Sequence, residues 1–187
     1  MSHLEKVMEF NREFVDGEEY LSYNTTKYPD KKIVILTCMD TRLVEMLPQA
    51  MNVAHGDAAI VKNAGAVVSH PFGSIMRSIL VAIHSLGAEE VYVVGHHDCG
   101  MASLNAEELL EKANAEKSTV ATLENAGIEL KTWLTGFDSV EDSVRNSVSM
   151  IKNHPLLEER IPVHGLVIDP GTGKLELVVN GEKKSAE

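Results

Sequence analysis

Cys38 and Cys99 are the only two cysteines of this 187-residue chain, and each follows an apolar run inside a tight polar cluster. The first cluster reads Thr37-Cys38-Met39-Asp40-Thr41-Arg42-Leu43, the second Gly95-His96-His97-Asp98-Cys99-Gly100-Met101. Two thiolates and an imidazole are three ligands for a borderline-soft metal, and zinc is the usual occupant of such a set. Asp40, two residues from one thiolate, can supply a fourth ligand or steer a bound water. Residues two apart in an extended segment face the same way, so Cys38 and Asp40 can address one point. Residues three apart on a turn share a face, which selects His96 over His97 as the companion of Cys99. Arg42 can hold the Asp40 carboxylate through a bidentate, charge-assisted pair.

Two clusters so far apart in sequence can share an ion only if the elements carrying them are neighbours. Four apolar, β-branched runs read as strands: Lys32–Thr37, Ala58–Val61, Glu90–Val94 and Val163–Ile168. The first and third are apolar nearly throughout, which suits parallel strands buried on both faces. A fifth run, Leu175–Val179, follows the turn-rich Asp169–Lys174 and reads as the return strand of an antiparallel hairpin at a sheet edge. Helical periodicity covers 72–83, ending before Gly87, then one or two helices in 102–135, then a segment opened by Asp138-Ser139 and ending before Pro155. The first twenty residues form an amphipathic helix or a pair of short ones.

Strands alternating with helices predict an α/β fold: a mostly parallel central sheet of five strands with an antiparallel edge strand, flanked by helices. In open α/β sheets ligands gather beyond the carboxyl ends of strands, where the strand order reverses. If the first and third strands are neighbours there, Cys38 and the His96–Cys99 pair converge on one crevice.

Length predicts a single domain spanning 1–187, with 1–25 as a helical arm. A net charge of −11 would repel a phosphate backbone, so nucleic acid is excluded as a partner. No stretch approaches the roughly 20 apolar residues of a membrane span, and the N-terminus lacks the apolar core of a signal peptide. The expected location is cytoplasmic, where a disulfide between the two cysteines is disfavoured. The other histidines are scattered; His84 reads as a core or interface residue, and His70, before Pro71, as a loop-shaping one. Gly171-Thr172-Gly173-Lys174 lacks the strand–loop–helix context of a phosphate loop and reads as a hairpin turn. Gly65, after the second strand, permits either a close backbone approach or a turn.

The two clusters together resemble the signature of the β-class carbonic anhydrases, Cys-x-Asp-Ser-Arg followed by His-x-x-Cys. Further segments extend the likeness over most of the chain: Val61-Lys62-Asn63-Ala64-Gly65, Ser143–Val148, His154–Leu157 and Val163–Val167. The compact length and the Cys99-Gly100-Met101 ending are closest to the small prokaryotic subgroup. Thr41 stands where the family has serine and keeps the hydroxyl. Lys62 replaces the family's arginine and exchanges a planar fork for a point charge.

The resemblance implies zinc held by Cys38, His96 and Cys99, with water or Asp40 in the fourth position. Zinc-bound hydroxide would then attack carbon dioxide, giving bicarbonate and a proton reversibly. Asp40 and Arg42 would form the catalytic dyad that gates the site, and Gly65 is a candidate substrate contact. Two thiolates cancel the metal's charge, so the bound water should be less acidic than at a three-histidine site, with activity rising toward alkaline pH. The resemblance also implies a homodimer or homotetramer, with the face Leu4, Val7, Met8, Phe10, Phe14 and Val15 docking on a partner. The rival readings keep the fold: hydrolysis of carbonyl sulfide or carbon disulfide, or a non-catalytic zinc protein with Asp40 permanently ligated.

Overall fold

The computed structural model describes residues 1–182. Its centre is a five-stranded sheet in the order β2-β1-β3-β4-β5, built from β1 (Ile33–Cys38), β2 (Ala58–Asn63), β3 (Glu90–His96), β4 (Val163–Ile168) and β5 (Leu175–Val179). All neighbours run parallel except β4 and β5, which pair antiparallel across a bulge at Gly165/Leu166. The expected mostly parallel sheet with an antiparallel edge is therefore the observed one.

β1 is buried at every position, and its alternation divides the core in two. Val34 and Leu36 join Val91 and Val93 of β3 beneath α3 (Ser74–His84) and α7 (Val140–Lys152). Ile33 and Ile35 face the other way, onto Leu43 and Leu47 of α2 (Leu43–Ala50). Being buried on both sides leaves β1 no solvent-facing position, which explains the apolar run Ile33–Leu36, and the buried Thr37 hydroxyl donates to the Val94 carbonyl at 3.0 Å.

Each helix on the first layer shows why its sequence folds so. α3 buries Met76, Ile79, Ala82 and Ile83, one stripe at helical spacing. Gly87, at φ +77°, then takes a left-handed turn that an ordinary residue would resist. In α7 the Ser139 side chain caps the first turn by accepting from the Asp142 amide at 3.2 Å. α7 also lies unusually close to the sheet: a Cβ on Gly95 would sit 2.7 Å from Val140, and one on Gly165 2.7 Å from Val144.

Two features differ from the sequence reading, and a third, the N-terminal helix, stands apart from the core. α2 was not anticipated, because it is only eight residues long and contains Pro48, which withholds a helical N–H. The 102–135 stretch holds three short helices, α4 (Ala106–Lys112), α5 (Lys117–Asn125) and α6 (Leu130–Leu134). Left-handed residues Asn114 and Gly127 separate them. The N-terminal helix α1 (His3–Asp16), closed by a Ser2/Glu5 capping box, buries nothing against its own sheet. Leu4 and Phe10 on it are 69% and 65% exposed, and of its residues only Phe14 is half-buried, its ring meeting Tyr23.

The hairpin turn is as expected. Asp169 accepts from the Gly171 and Thr172 amides at 2.7 and 3.0 Å, and Gly173 supplies the positive φ.

Candidate metal centre

From β1 the chain passes to β2 on one side, and the return from β2 reaches β3 on the other side of β1. The strand order thus reverses between β1 and β3, and both strands point their carboxyl ends at that crevice. Cys38 ends β1 and His96 ends β3. Cys99 follows on a loop that turns back through Asp98, whose φ is +54°. Aspartate is one of the few side chains that tolerates this conformation.

The result is a buried trio. One ligand atom from each of Cys38, His96 and Cys99 lies within 4.8 Å of the others. The two sulfurs are 3.9 Å apart and unbonded, close to the roughly 3.8 Å that two thiolates about 2.3 Å from one tetrahedral ion require. His96 Nδ1 lies 2.8 Å from the His97 carbonyl. A carbonyl only accepts, so Nδ1 carries the proton and Nε2 keeps its lone pair. That Nε2 is buried without a hydrogen-bond partner among the described residues. An orphaned acceptor beside two sulfurs is costly to bury unless something binds it. The donor set therefore fits zinc.

His97 turns aside: its amide donates to Ile168 on β4, and its carbonyl serves His96. The choice of His96 on spacing alone agrees with this placement.

Asp40 stands just outside the trio. Its carboxylate closes the turn that precedes α2, Oδ1 accepting from the Arg42 amide at 2.9 Å. Arg42 then closes the fork, Nε donating to Oδ1 at 3.0 Å and Nη2 to Oδ2 at 2.8 Å. Asp40 Oδ2 is 3.8 Å from His96 Nε2, so the carboxylate borders the cluster while facing Arg42. The Arg42 hydrogen bonds hold its pKa down at about 2, and the same pairing raises that of Arg42.

The thiols are not equivalent. Burial pushes Cys38 up, but the neighbouring His96 and the Gly65 and Asp40 amides overcome it and bring it down to about 7. Burial pushes Cys99 up to about 11, aided by the charge on Cys38. The nearby Cys38 sulfur raises the His96 imidazole.

Gly65 is placed where its amide donates to Cys38 Sγ at 3.3 Å. Its φ is +77°, and a Cβ there would lie 2.9 Å from Met101 and 3.0 Å from Phe137. A glycine is needed for both reasons. Asp98 went unassigned in the sequence reading: its Oδ2 accepts from Arg42 Nη1 at 2.9 Å and its carbonyl from Nη2 at 3.0 Å. Only its place beside Cys99 hinted at this, since no local spacing pairs residues 42 and 98.

Two of the remaining histidines make local contacts, and His84 lies exposed rather than in the core. His70 accepts from the Phe72 amide in the loop before α3, and His84 bonds the Leu156 carbonyl from an exposed position.

A family model described as carbonic anhydrase matches residues 33–175, from the first residue of β1 to the first of β5. Across 97% of this chain and 100% of the other, the structure superposes on the crystal structure of β-carbonic anhydrase isoform I (TvaCA1) from Trichomonas vaginalis, with a TM-score of 0.85 and 32% identity. The chain belongs to the β-class carbonic anhydrases. Over 184 residues it is 63% identical to "Putative carbonic anhydrase YvdA" of Bacillus subtilis (strain 168), covering 97% of this chain and 93% of that protein. It is also 28% identical to a carbon disulfide hydrolase of Acidithiobacillus thiooxidans, over 88% of this chain and 80% of that one. The family model thus contains the whole trio and the Asp40–Arg42 pair, and leaves α1 outside.

Proposed function

We propose that this β-class carbonic anhydrase is a zinc enzyme catalysing the reversible hydration of carbon dioxide to bicarbonate, with Cys38, His96 and Cys99 as metal ligands and Asp40 and Arg42 gating the open side. The observation that carries this reading is the buried trio with its orphaned His96 Nε2, bordered by a carboxylate that is turned away from it.

Zinc bound there supplies a Lewis acid that makes a water acidic enough to attack carbon dioxide. The protein's part follows from its own contacts. The Gly65 amide steadies the Cys38 thiolate, and the His97 carbonyl fixes the His96 tautomer. Held on Arg42, Asp40 can accept a hydrogen bond from the attacking water and set its orientation. Released from Arg42, it would lie close enough to the trio, 3.8 Å from His96 Nε2, to compete with water for a bound ion. More hydroxide at higher pH competes better with that carboxylate, so opening tracks alkalinity.

Asp40 paired with Arg42 in a two-pronged fork speaks against a permanently ligated, non-catalytic site. The carbon disulfide hydrolase relative sustains a second reading, in which the same cluster hydrolyses carbon disulfide or carbonyl sulfide. Carbon dioxide and these sulfides are all linear heterocumulenes, so the ligands do not separate them.

The deciding experiment measures zinc per chain and carbon dioxide hydration from about pH 6.5 to about pH 9, with sulfide release assayed alongside. One zinc per chain with hydration rising toward alkaline pH is expected. Zinc-replete protein inactive throughout, or sulfide release outrunning hydration, overturns the proposal.

The helix α1 supports the assembly proposed with it, a homodimer or homotetramer. An amphipathic helix that covers none of its own core is stable only when its apolar face is covered by something else, and a second copy is the proposed cover. No helix among the described residues is long and apolar enough to cross a membrane; the proposed location is cytoplasmic.

A further inference from the structure

We infer that Asp98 is a positioning residue for the gate: it pins the Arg42 guanidinium between the two motif loops, so that Asp40 leaves and returns to a fixed post. The inference rests on the zinc-enzyme reading above.

Arginine carries five N–H donors on a long flexible stem. Asp40 takes the Nε hydrogen and one on Nη2. Those two bonds alone would let guanidinium and carboxylate swing together, because residues 40 and 42 share one loop. Asp98 takes a hydrogen on Nη1 through its carboxylate and the second on Nη2 through its backbone carbonyl. Four of the five donors are thereby committed, two to the loop after β1 and two to the loop after β3. Asp98 can present both acceptors because its φ is +54°, which turns its carbonyl back toward Arg42. The ionisable groups facing Arg42 are Asp40 and Asp98, and those facing Asp40 are Arg42, His96 and Cys99.

The alternative is a plain surface ion pair. The Asp98 side chain is 85% exposed and that of Arg42 42%, so solvent screens their attraction and the effect must be modest. What a surface pair does not explain is the backbone carbonyl, which makes the contact two-pronged and ties it to the loop that delivers Cys99.

The variants must respect the left-handed backbone. Asp98→Gly keeps that conformation and deletes the carboxylate, whereas Asp98→Asn keeps the conformation and an oxygen acceptor. In zinc-loaded protein, solvent exchange of the Arg42 Nε–H is followed by nuclear magnetic resonance, and the pH profile of kcat/KM is recorded. Asp98→Gly should speed that exchange about two- to fivefold and raise the hydroxide needed for half-maximal activity by the same factor, as loss of a weak exposed pair predicts. Asp98→Asn should stay near wild type on both readouts. Unchanged exchange in Asp98→Gly overturns the inference, as does a uniform drop in activity with an unmoved profile. If the wild type holds no zinc or hydrates nothing, the functional reading fails; the exchange comparison still judges the pin by itself.

Discussion

The two thiols of the buried trio begin from different protonation states, and this has a measurable consequence. With Cys38 near 7 and Cys99 near 11 in the metal-free protein, one thiol is already ionised at about pH 8 and the other is not. Ligands must be deprotonated to bind. Zinc binding at about pH 8 should therefore release the Cys99 proton, and affinity should rise with pH up to about 11. Below 7 the slope steepens as Cys38 also protonates. Titration calorimetry in buffers of different ionisation enthalpy checks this. Asp40 behaves oppositely: Arg42 depresses its pKa from 3.8 to about 2, so the pair's stabilisation is fully present above 3.8 and is lost as pH falls through about 2. Alkaline activation then cannot come from titrating Asp40. Arg42→Lys keeps the charge and loses the fork. It should retain zinc, reduce hydration about 10- to 100-fold, as altered outer-shell partners do, and shift the pH profile upward; zinc analysis and stopped-flow assays measure both.

At the scale of elements, β3 does two jobs with one short sequence. His96 at its end must face the cluster, while Gly95 just before it leaves room for α7. Gly95→Ala would place a methyl 2.7 Å from Val140 and 2.9 Å from Val144. Overpacking of this kind costs about 1–3 kcal/mol, which urea unfolding would show as a lower midpoint at an unchanged slope. Gly165 faces the same helix from β4, so both strands depend on the closeness of α7. The helix-rich 102–135 segment is different: of α4, α5 and α6, only Ala106 and Leu130 are buried.

For the whole molecule, the unburied α1 is the feature that a single copy does not explain. Deleting residues 1–25 removes the exposed Leu4 and Phe10 face without disturbing any strand. The truncated chain should lose oligomer mass in light scattering and melt at a lower temperature. An unchanged mass and melting point would assign α1 no role between copies.

Much of this was written in the chain itself. Residue types and local spacing single out Cys38, Asp40, Arg42, His96 and Cys99, because two- and three-residue intervals fix which side chains face together, while their proposed roles rest on the family resemblance. Hydrophobic runs determined the five strands and the final hairpin. Other features were decided only in three dimensions. The adjacency of β1 and β3 sets the 3.9 Å between sulfurs 61 positions apart. The Gly65 amide on Cys38 and the Asp98 contacts on Arg42 likewise join residues that no local period relates. α2 forms around Pro48 because Leu43 and Leu47 are buried beneath the sheet, a packing gain that local propensity does not contain. Short-range geometry is legible from sequence because the backbone repeats; long-range convergence is not, since it depends on which strands the folded core sets side by side.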